Sequence, residues 1–438
     1  MDKSQAASAA HETSVVEPRK WIVLGSANGS TNLGDECMWL AAADAVRSVE
    51  PDAVIITDGA SGWRPPIDRV EVLPYLYPAL RRGRFLGPTE RPLVAALERV
   101  ISRPGAASYA AALAGTSPSP DSLGALGEVW ATAIAASSGV IYSGAGAMND
   151  DYAVHGVHSW RVIAEWAAAA GKPVAMVGQG IGPVDHPANR DSASALVQIP
   201  DYLGVRDAKS AAEAADLGRP LVRTDVRPDW ALAVGIDARS RDVAERLHEN
   251  YAASGPFVAV SVHRRASTRN RHLDALAEQV AELVTPQVRS GVRVIFVPNM
   301  TGSRYSDDRR TARELLARWP EELTAASVIH EGSSDAAVVK ALLARADALI
   351  STRYHPLVFA LSEGTPTIGV AYDDYYVQKL VGASRIFGVE GNVVRLGMSN
   401  PAGSIEAQVK MQSPKVEAGV REDIVSPLTR WIEGVLAR

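Results

Sequence analysis

Cysteine is almost missing from this chain. Its 438 residues include one, Cys37, which excludes an intrachain disulfide and any zinc site built on cysteines. No run of about 18 apolar residues free of charge, glycine or proline occurs, so a transmembrane helix is not expected. Residues 1–18 are small and polar and lack the apolar stretch of a secretory signal; they read as a disordered lead-in, and the chain is expected in the cytoplasm. A large charge of one sign is also lacking. With 45 basic and 50 acidic residues the formal charge is −5, which argues against a dedicated nucleic-acid partner. Lysine is scarce, eight of the 45 basic residues, so every lysine stands out.

What remains is ordinary globular composition, 47% hydrophobic and 22% charged, in a chain long enough for two domains at about 100–200 residues each. Short apolar runs alternate with longer helical patterns. Trp21–Leu24, Ala53–Thr57, Val140–Tyr142, Pro173–Val177 and Tyr202–Val205 read as buried strands, and the β–loop–α rhythm implies a parallel sheet covered on both faces. Residues 80–125, rich in Pro, Gly, Ser and Arg, interrupt it as an insertion. After a break near 236–256 the rhythm restarts with Phe257–Val262, Val292–Val297, Ser327–Ile329, Ala348–Ile350 and Thr367–Val370. The expected fold is therefore α/β, two Rossmann-like doubly wound domains facing a cleft, spanning 19–245 and 246–400. Residues 401–438 close the chain. In them Ser426-Pro427 looks like the start of a helix whose apolar stripe, Leu428, Trp431, Ile432, Val435 and Leu436, must dock, with the other domain as the expected surface.

Ligands of doubly wound sheets bind beyond the carboxyl ends of the strands. Three glycine-rich segments fall there: Gly25 to Asp35 with Asn28, Ser143 to Asp150 with Gly144 and Gly146, and Gly178-Gln179-Gly180-Ile181-Gly182-Pro183. Sharp turns with free N–H groups near helix N-termini suit an anion, although tight turning alone also explains such glycines. None matches a dinucleotide or P-loop motif. Arg206 follows one strand, His263-Arg264-Arg265 another, and Arg353-Tyr354-His355 a third. Arg353 and His355 leave an apolar strand and enter an apolar helix, which denies them bulk solvent. A guanidinium there can hold carboxylate or phosphate, and a histidine can move protons near neutral pH. The basic run from His263 to His272 has the composition either of an anion-binding loop or of a solvated surface. Arg81-Arg82-Gly83-Arg84 reads as solvated or at an interface. Asp150, Asp151, His155 and His158 cluster within nine residues but lack a defined metal-ligand motif, and no metal is expected.

In order along residues 20–395, the segments Asn32-Leu33-Gly34-Asp35, Gly144-Ala145-Gly146, Gly178 to Pro183, Val205-Arg206-Asp207, Pro228-Asp229-Trp230, Ser351 to His355, Gly364-Thr365-Pro366 and Ala371-Tyr372-Asp373 together resemble the polysaccharide pyruvyl transferase family. The resemblance implies a fold like that of two-domain GT-B glycosyltransferases. It implies transfer of a pyruvyl group from phosphoenolpyruvate, a co-substrate rather than a cofactor, to hydroxyls of a sugar or glycan precursor. By the same resemblance His355 is the candidate acid and Arg206 an anion ligand; Arg353 is proposed from its placement. Asn28, Gly144, Gly146, Gln179, Gly180 and Arg264 are candidate donor-binding residues. One departure stands out. The family commonly places a lysine soon after the Tyr-Asp pair, where this chain has Tyr375, and Lys379 follows four residues later. On a helix, residues four apart share a face, so Lys379 is a candidate replacement. A nucleotide-activated sugar as donor, and a non-catalytic ligand-binding relative, are the competing expectations.

Overall fold

A computed structural model describes residues 17–25, 32–78, 117–264, 270–302, 307–332, 335–397 and 419–438. Asn28, Arg81, Arg82, Arg84, Arg265 and nearly all of the lead-in lie outside the described residues, as does most of the expected insertion.

Among the described residues the first half contains, in chain order, β1 (Lys20–Leu24), α1 (Leu33–Val49), β2 (Val54–Gly59), β3 (Val70–Pro74), α2 (Ala125–Ala136), β4 (Ser137–Tyr142), β5 (Ala145–Met148), α3 (Trp160–Ala169), β6 (Val174–Ile181), α4 (Pro187–Gln198), β7 (Tyr202–Val205), α5 (Ala208–Asp216) and β8 (Thr224–Val226). The second half contains α6 (Ala238–Ala252), β9 (Phe257–Ser261), α7 (Asn270–Arg289), β10 (Arg293–Phe296), α8 (Asp308–Leu316), α9 (Glu321–Ala325), β11 (Ser327–Ile329), α10 (Ala336–Leu343), β12 (Ala348–Ser351), α11 (Tyr354–Ser362), β13 (Thr367–Ala371), α12 (Asp374–Arg385), β14 (Val393–Arg395) and α13 (Val420–Leu436).

The strands build two parallel sheets. One has the order β3-β2-β1-β4-β6-β7-β8 with β5 beside the end of β6, and the other runs β11-β10-β9-β12-β13-β14. Each begins at its centre, winds outward, then crosses to the opposite side. Each therefore has a switch point, between β1 and β4 and between β9 and β12, where a Rossmann-like sheet opens a crevice. The central strands are buried along nearly their whole length, as sheets covered by helices on both faces require.

Each half has its own apolar core, and a third, larger cluster runs between them. It contains Trp21, Met38 and Trp39 from the first half, Phe257, Leu349, Leu357 and Phe359 from the second, and Ile424, Leu428 and Ile432 from α13. The final helix thus returns to the first half, with Trp431 edge-on to Trp21 at 6.0 Å.

Four details differ from the sequence reading. The glycine run after β4 is not all loop: Ala145–Met148 pairs with the end of β6, since small residues allow two strands to run on past the sheet. The region near 236–256 is not a break but the helix α6, capped by Asp237 and burying Ser240, Ala244 and His248; it crosses residue 245 and packs on α10. Helix α13 begins at Val420, so Ser426 is not its cap and Pro427 lies inside it. Its buried stripe offsets the hydrogen bond lost at proline. The strands β3, β8 and β14 carry too few apolar residues to stand out as buried runs.

Candidate active site

Beyond the carboxyl ends of both sheets, residues from the two halves converge on Tyr354. Arg206 follows β7. Its N–H donates to Gln179 O (3.1 Å), and the next residue, Asp207, caps α5 by accepting from Ser210 N–H (2.7 Å). The guanidinium lies over the Tyr354 ring, with Cζ 4.8 Å from the centroid, and Nη1 is 3.7 Å from Asp229 Oδ2. Asp229 is fully buried, its other oxygen accepting from Ala231 N–H (2.8 Å). Burial opposes the charge on Arg206, but Tyr354, Asp229 and Asp207 more than offset it and hold its pKa above the ordinary value.

Lys379 approaches the same ring from α12, its Nζ 5.4 Å from the Tyr354 centroid and 5.9 Å from that of Tyr375. Tyr375 and Lys379 lie on one face of α12. It has no carboxylate partner within ion-pair distance among the described residues. Burial, then the neighbouring Arg206, push its pKa down to about 8.

His355, in the first turn of α11, is buried. Its Nε2 has no hydrogen-bond partner among the described residues, which marks an atom that a ligand would satisfy. Its ring lies flat against the start of α1: a methyl added at Gly34 would fall 1.7 Å from His355 Nδ1. Glycine is obligatory there for space rather than for backbone angles. Burial lowers the His355 pKa; Asp229 and Asp35 raise it, while Lys379 and Arg206 lower it.

The remaining candidates take other places. Arg353 is partly buried and bidentate to Asp308, with Nε 3.1 Å from Oδ2 and Nη2 against Oδ1. Its fork is occupied by a carboxylate of the chain itself. Gly180 makes room for Arg206, because a methyl there would sit 2.6 Å from its Cζ, whereas one on Gly146 would only touch its Nη2 at 3.5 Å. Gly144 lies against Met38, whose Sδ would be 2.7 Å from an added methyl. Gln179 is wholly buried and its Nε2 donates to the backbone carbonyls of Tyr142, Ser143 and Val177, which ties the ends of β4 and β6 together. Arg264 stands apart, exposed and paired with Glu314 at 3.3 Å. Asp150 anchors a turn, its carboxylate accepting from Asp185 N–H, His186 N–H and Asn189 Nδ2, while His158 meets Asn189 Oδ1 at 3.1 Å. Among the described residues no three metal-ligating side chains converge. Nothing in the sequence singles out Tyr354, Asp229, Asp35 or Asp308, although the first three lie inside the ordered segments quoted above.

The model of one family, described as polysaccharide pyruvyl transferase, matches residues 32–374, well over half of the chain. The chain belongs to that family. It is a transferase with two Rossmann-like domains of the GT-B kind. Among the curated proteins compared, none matches. Several solved structures share the fold at low identity. HepE of Anabaena in complex with UDP-glucose is 15% identical with a TM-score of 0.52, covering 95% of this chain and 99% of that one. MnaA of S. aureus with UDP is 11% identical with a TM-score of 0.52, covering 95% and 97%. A UDP-GlcNAc 2-epimerase from Neisseria meningitidis is 11% identical with a TM-score of 0.50, covering 94% and 100%. No helix among the described residues is long and apolar enough to cross a membrane.

Proposed function

We propose that this polysaccharide pyruvyl transferase family member moves a pyruvyl group from phosphoenolpyruvate to hydroxyls of a sugar or glycan precursor. The observation that carries the reading is the pair of cations over one tyrosine ring, Arg206 and Lys379, beside a buried imidazole nitrogen without a partner. A small, strongly anionic ligand would supply the counter-charge that Lys379 lacks and the hydrogen-bond partner that His355 Nε2 lacks. Phosphoenolpyruvate has that charge, and its carboxylate and phosphate suit a guanidinium and an ammonium.

The chemistry follows from the donor. His355 Nε2, protonated, delivers its proton to the enol carbon, and the adjacent carbon becomes electrophilic. A sugar hydroxyl adds there and loses its proton. The bond from that carbon to the phosphate oxygen breaks with its electron pair, so inorganic phosphate leaves; a second hydroxyl adds, loses its proton and closes a cyclic ketal. Arg206 and Lys379 stabilise the negative charge that accumulates on the phosphate. Burial, together with Lys379 and Arg206, lowers the His355 pKa in the ligand-free protein, and the charge of the bound donor raises it toward the working range of a general acid.

Incubation with phosphoenolpyruvate and a panel of nucleotide- or lipid-linked sugars is expected to release phosphate only when acceptor is present. Donor binding is read separately as thermal stabilisation, which at 100 times the dissociation constant amounts to about 2.7 kcal/mol. Stabilisation by UDP-sugars and not by phosphoenolpyruvate would replace this reading with that of a nucleotide-sugar transferase. Lys379 beside Arg206 at the Tyr354 ring supports the first.

A further inference from the structure

One hydrogen-bonded chain crosses between the halves close to His355. Asn32, the cap of α1, accepts at Oδ1 from its own Gly34 N–H (3.3 Å) and from Asn299 Nδ2 (3.0 Å), and donates from Nδ2 to Asp35 Oδ2 (2.8 Å). Leu33 N–H donates to Asn299 O (3.1 Å), and Asn32 bridges Met300 as an antiparallel pair. Asn299 and Met300 belong to the segment after β10. Their two N–H groups both donate to Asp308 Oδ2 at 3.0 Å. That carboxylate also holds Arg353, two residues before His355. Asp308 and Asn299, at the centre of the chain, are 3% and 2% exposed.

We infer that Asn299 and Asp308 are positioning residues for His355: they hook the first turn of α1, with Gly34 and Asp35, onto the imidazole. The inference rests on the proposed role of His355 as proton donor. Its physical content is a shared carboxylate. Asp308 fixes the segment that grips Asn32, and in the same stroke fixes Arg353, so both walls around the His355 ring are referred to one buried group. The wall from α1 is tight, since no Cβ fits between Gly34 and the ring. Movement of this turn by one ångström opens a gap beside the imidazole and carries away Asp35. The charged and titratable groups acting on His355 are Asp35 on α1, Asp229 after β8, Arg206 after β7 and Lys379 on α12; of these, Asp35 is the one bonded to the hook.

Asn299→Ala tests this with the least collateral change, because the backbone links from Asn299 to Leu33 and to Asp308 survive and only the side-chain hook is lost. The expected result is a turnover lower by roughly ten- to a hundredfold, an apparent KM for phosphoenolpyruvate changed less than about threefold, and a downward shift of the His355 titration followed by NMR of histidine-labelled protein, with His355→Gln identifying the signal. Asp308→Asn is expected to do the same more severely and to lower Tm, because it orphans Arg353. Unchanged turnover and an unmoved His355 titration in folded Asn299→Ala would overturn the inference. A loss of turnover with an unmoved titration would also overturn it, reducing the hook to a structural tie. The titration needs no substrate, so it reads this inference even if phosphoenolpyruvate proves to be the wrong donor. If phosphoenolpyruvate neither binds nor reacts with the parent protein, the functional reading fails on its own.

Discussion

The two halves meet the site with the same topology and opposite chemistry. At the first switch point and its neighbouring strand ends the chain offers space: Gly144, Gly146 and Gly180 pack against Met38 and Arg206. At the second it offers bulky and ionisable groups, Arg353, Tyr354 and His355 in sequence. The glycine-rich segments look like anion cradles when read as sequence. In the folded protein the groove they leave is filled by a cation from the same half. The lesson is that a glycine run beside a strand end can seat a cationic side chain of the chain itself instead of an anion, and only the third dimension separates the two.

The comparison breaks most severely at His355. His355→Gln is expected to keep donor binding, because Arg206 and Lys379 remain, and to lose turnover by ~10²–10⁴; phosphate-release kinetics alongside thermal shift with phosphoenolpyruvate measure both, and normal turnover would remove the imidazole from the chemistry. Next come the first-half substitutions, which should act on binding. Arg206→Lys lacks the flat fork, and Gly180→Ala drives a methyl into the guanidinium. Each is expected to raise the apparent KM for the donor by roughly tenfold or more, a change of about 1.4 kcal/mol in binding per factor of ten, with turnover reduced less than in His355→Gln.

Lys379 gives a signature in pH. Its pKa in the folded, ligand-free protein is about 8, and the protonated form is the one that attracts an anion, so donor affinity should fall as pH rises through that value. In Lys379→Met that alkaline decline should vanish, leaving weaker binding throughout. Stability moves the other way. The depressed pKa means the folded state holds fewer protons than the unfolded state between about 8 and the ordinary lysine value. The ligand-free protein therefore gains stability from this group across that window, and a Tm–pH series on the parent and on Lys379→Met isolates it. The smallest effect is expected at Arg264. It is exposed and tied to Glu314, so Arg264→Ala should change stability by less than about 0.5 kcal/mol and leave the KM for phosphoenolpyruvate unaltered.

Much of this architecture is legible in the sequence where a single physical rule dominates. Strands buried on both faces, such as Trp21–Leu24 and Phe257–Ser261, are continuous apolar runs and cannot be anything but central. Strand β3, whose residues are half-buried or exposed along most of its length, has no such pattern and is defined only by pairing with β2. The site divides in the same way. Arg353 and His355 stand out because they leave an apolar strand for an apolar helix at the level where ligands bind, while Arg206 shares that level and is a candidate anion ligand by the family resemblance. Asp308 does not stand out, because its partners, Asn299, Met300 and Arg353, lie on different elements and up to 45 residues away. Nor does position tell Arg353 from Arg206: both leave a strand end, but Asp308 holds Arg353 at hydrogen-bond distance, whereas the carboxylates nearest Arg206, Asp207 and Asp229, stand at 3.5 and 3.7 Å.

The returning helix α13 has a consequence for how the protein is made. Trp21 is among the first described residues and is fully buried, yet part of its cover is Trp431, seven residues from the chain's end. The face of α1 that receives Ile424, Leu428 and Ile432 is in the same position. At a synthesis rate of about 5–20 residues per second, the stretch separating β8 from α13 takes on the order of ten to forty seconds to emerge. Throughout that interval the first half carries an uncovered tryptophan edge and an apolar helix face, so its folding is completed only when α13 emerges.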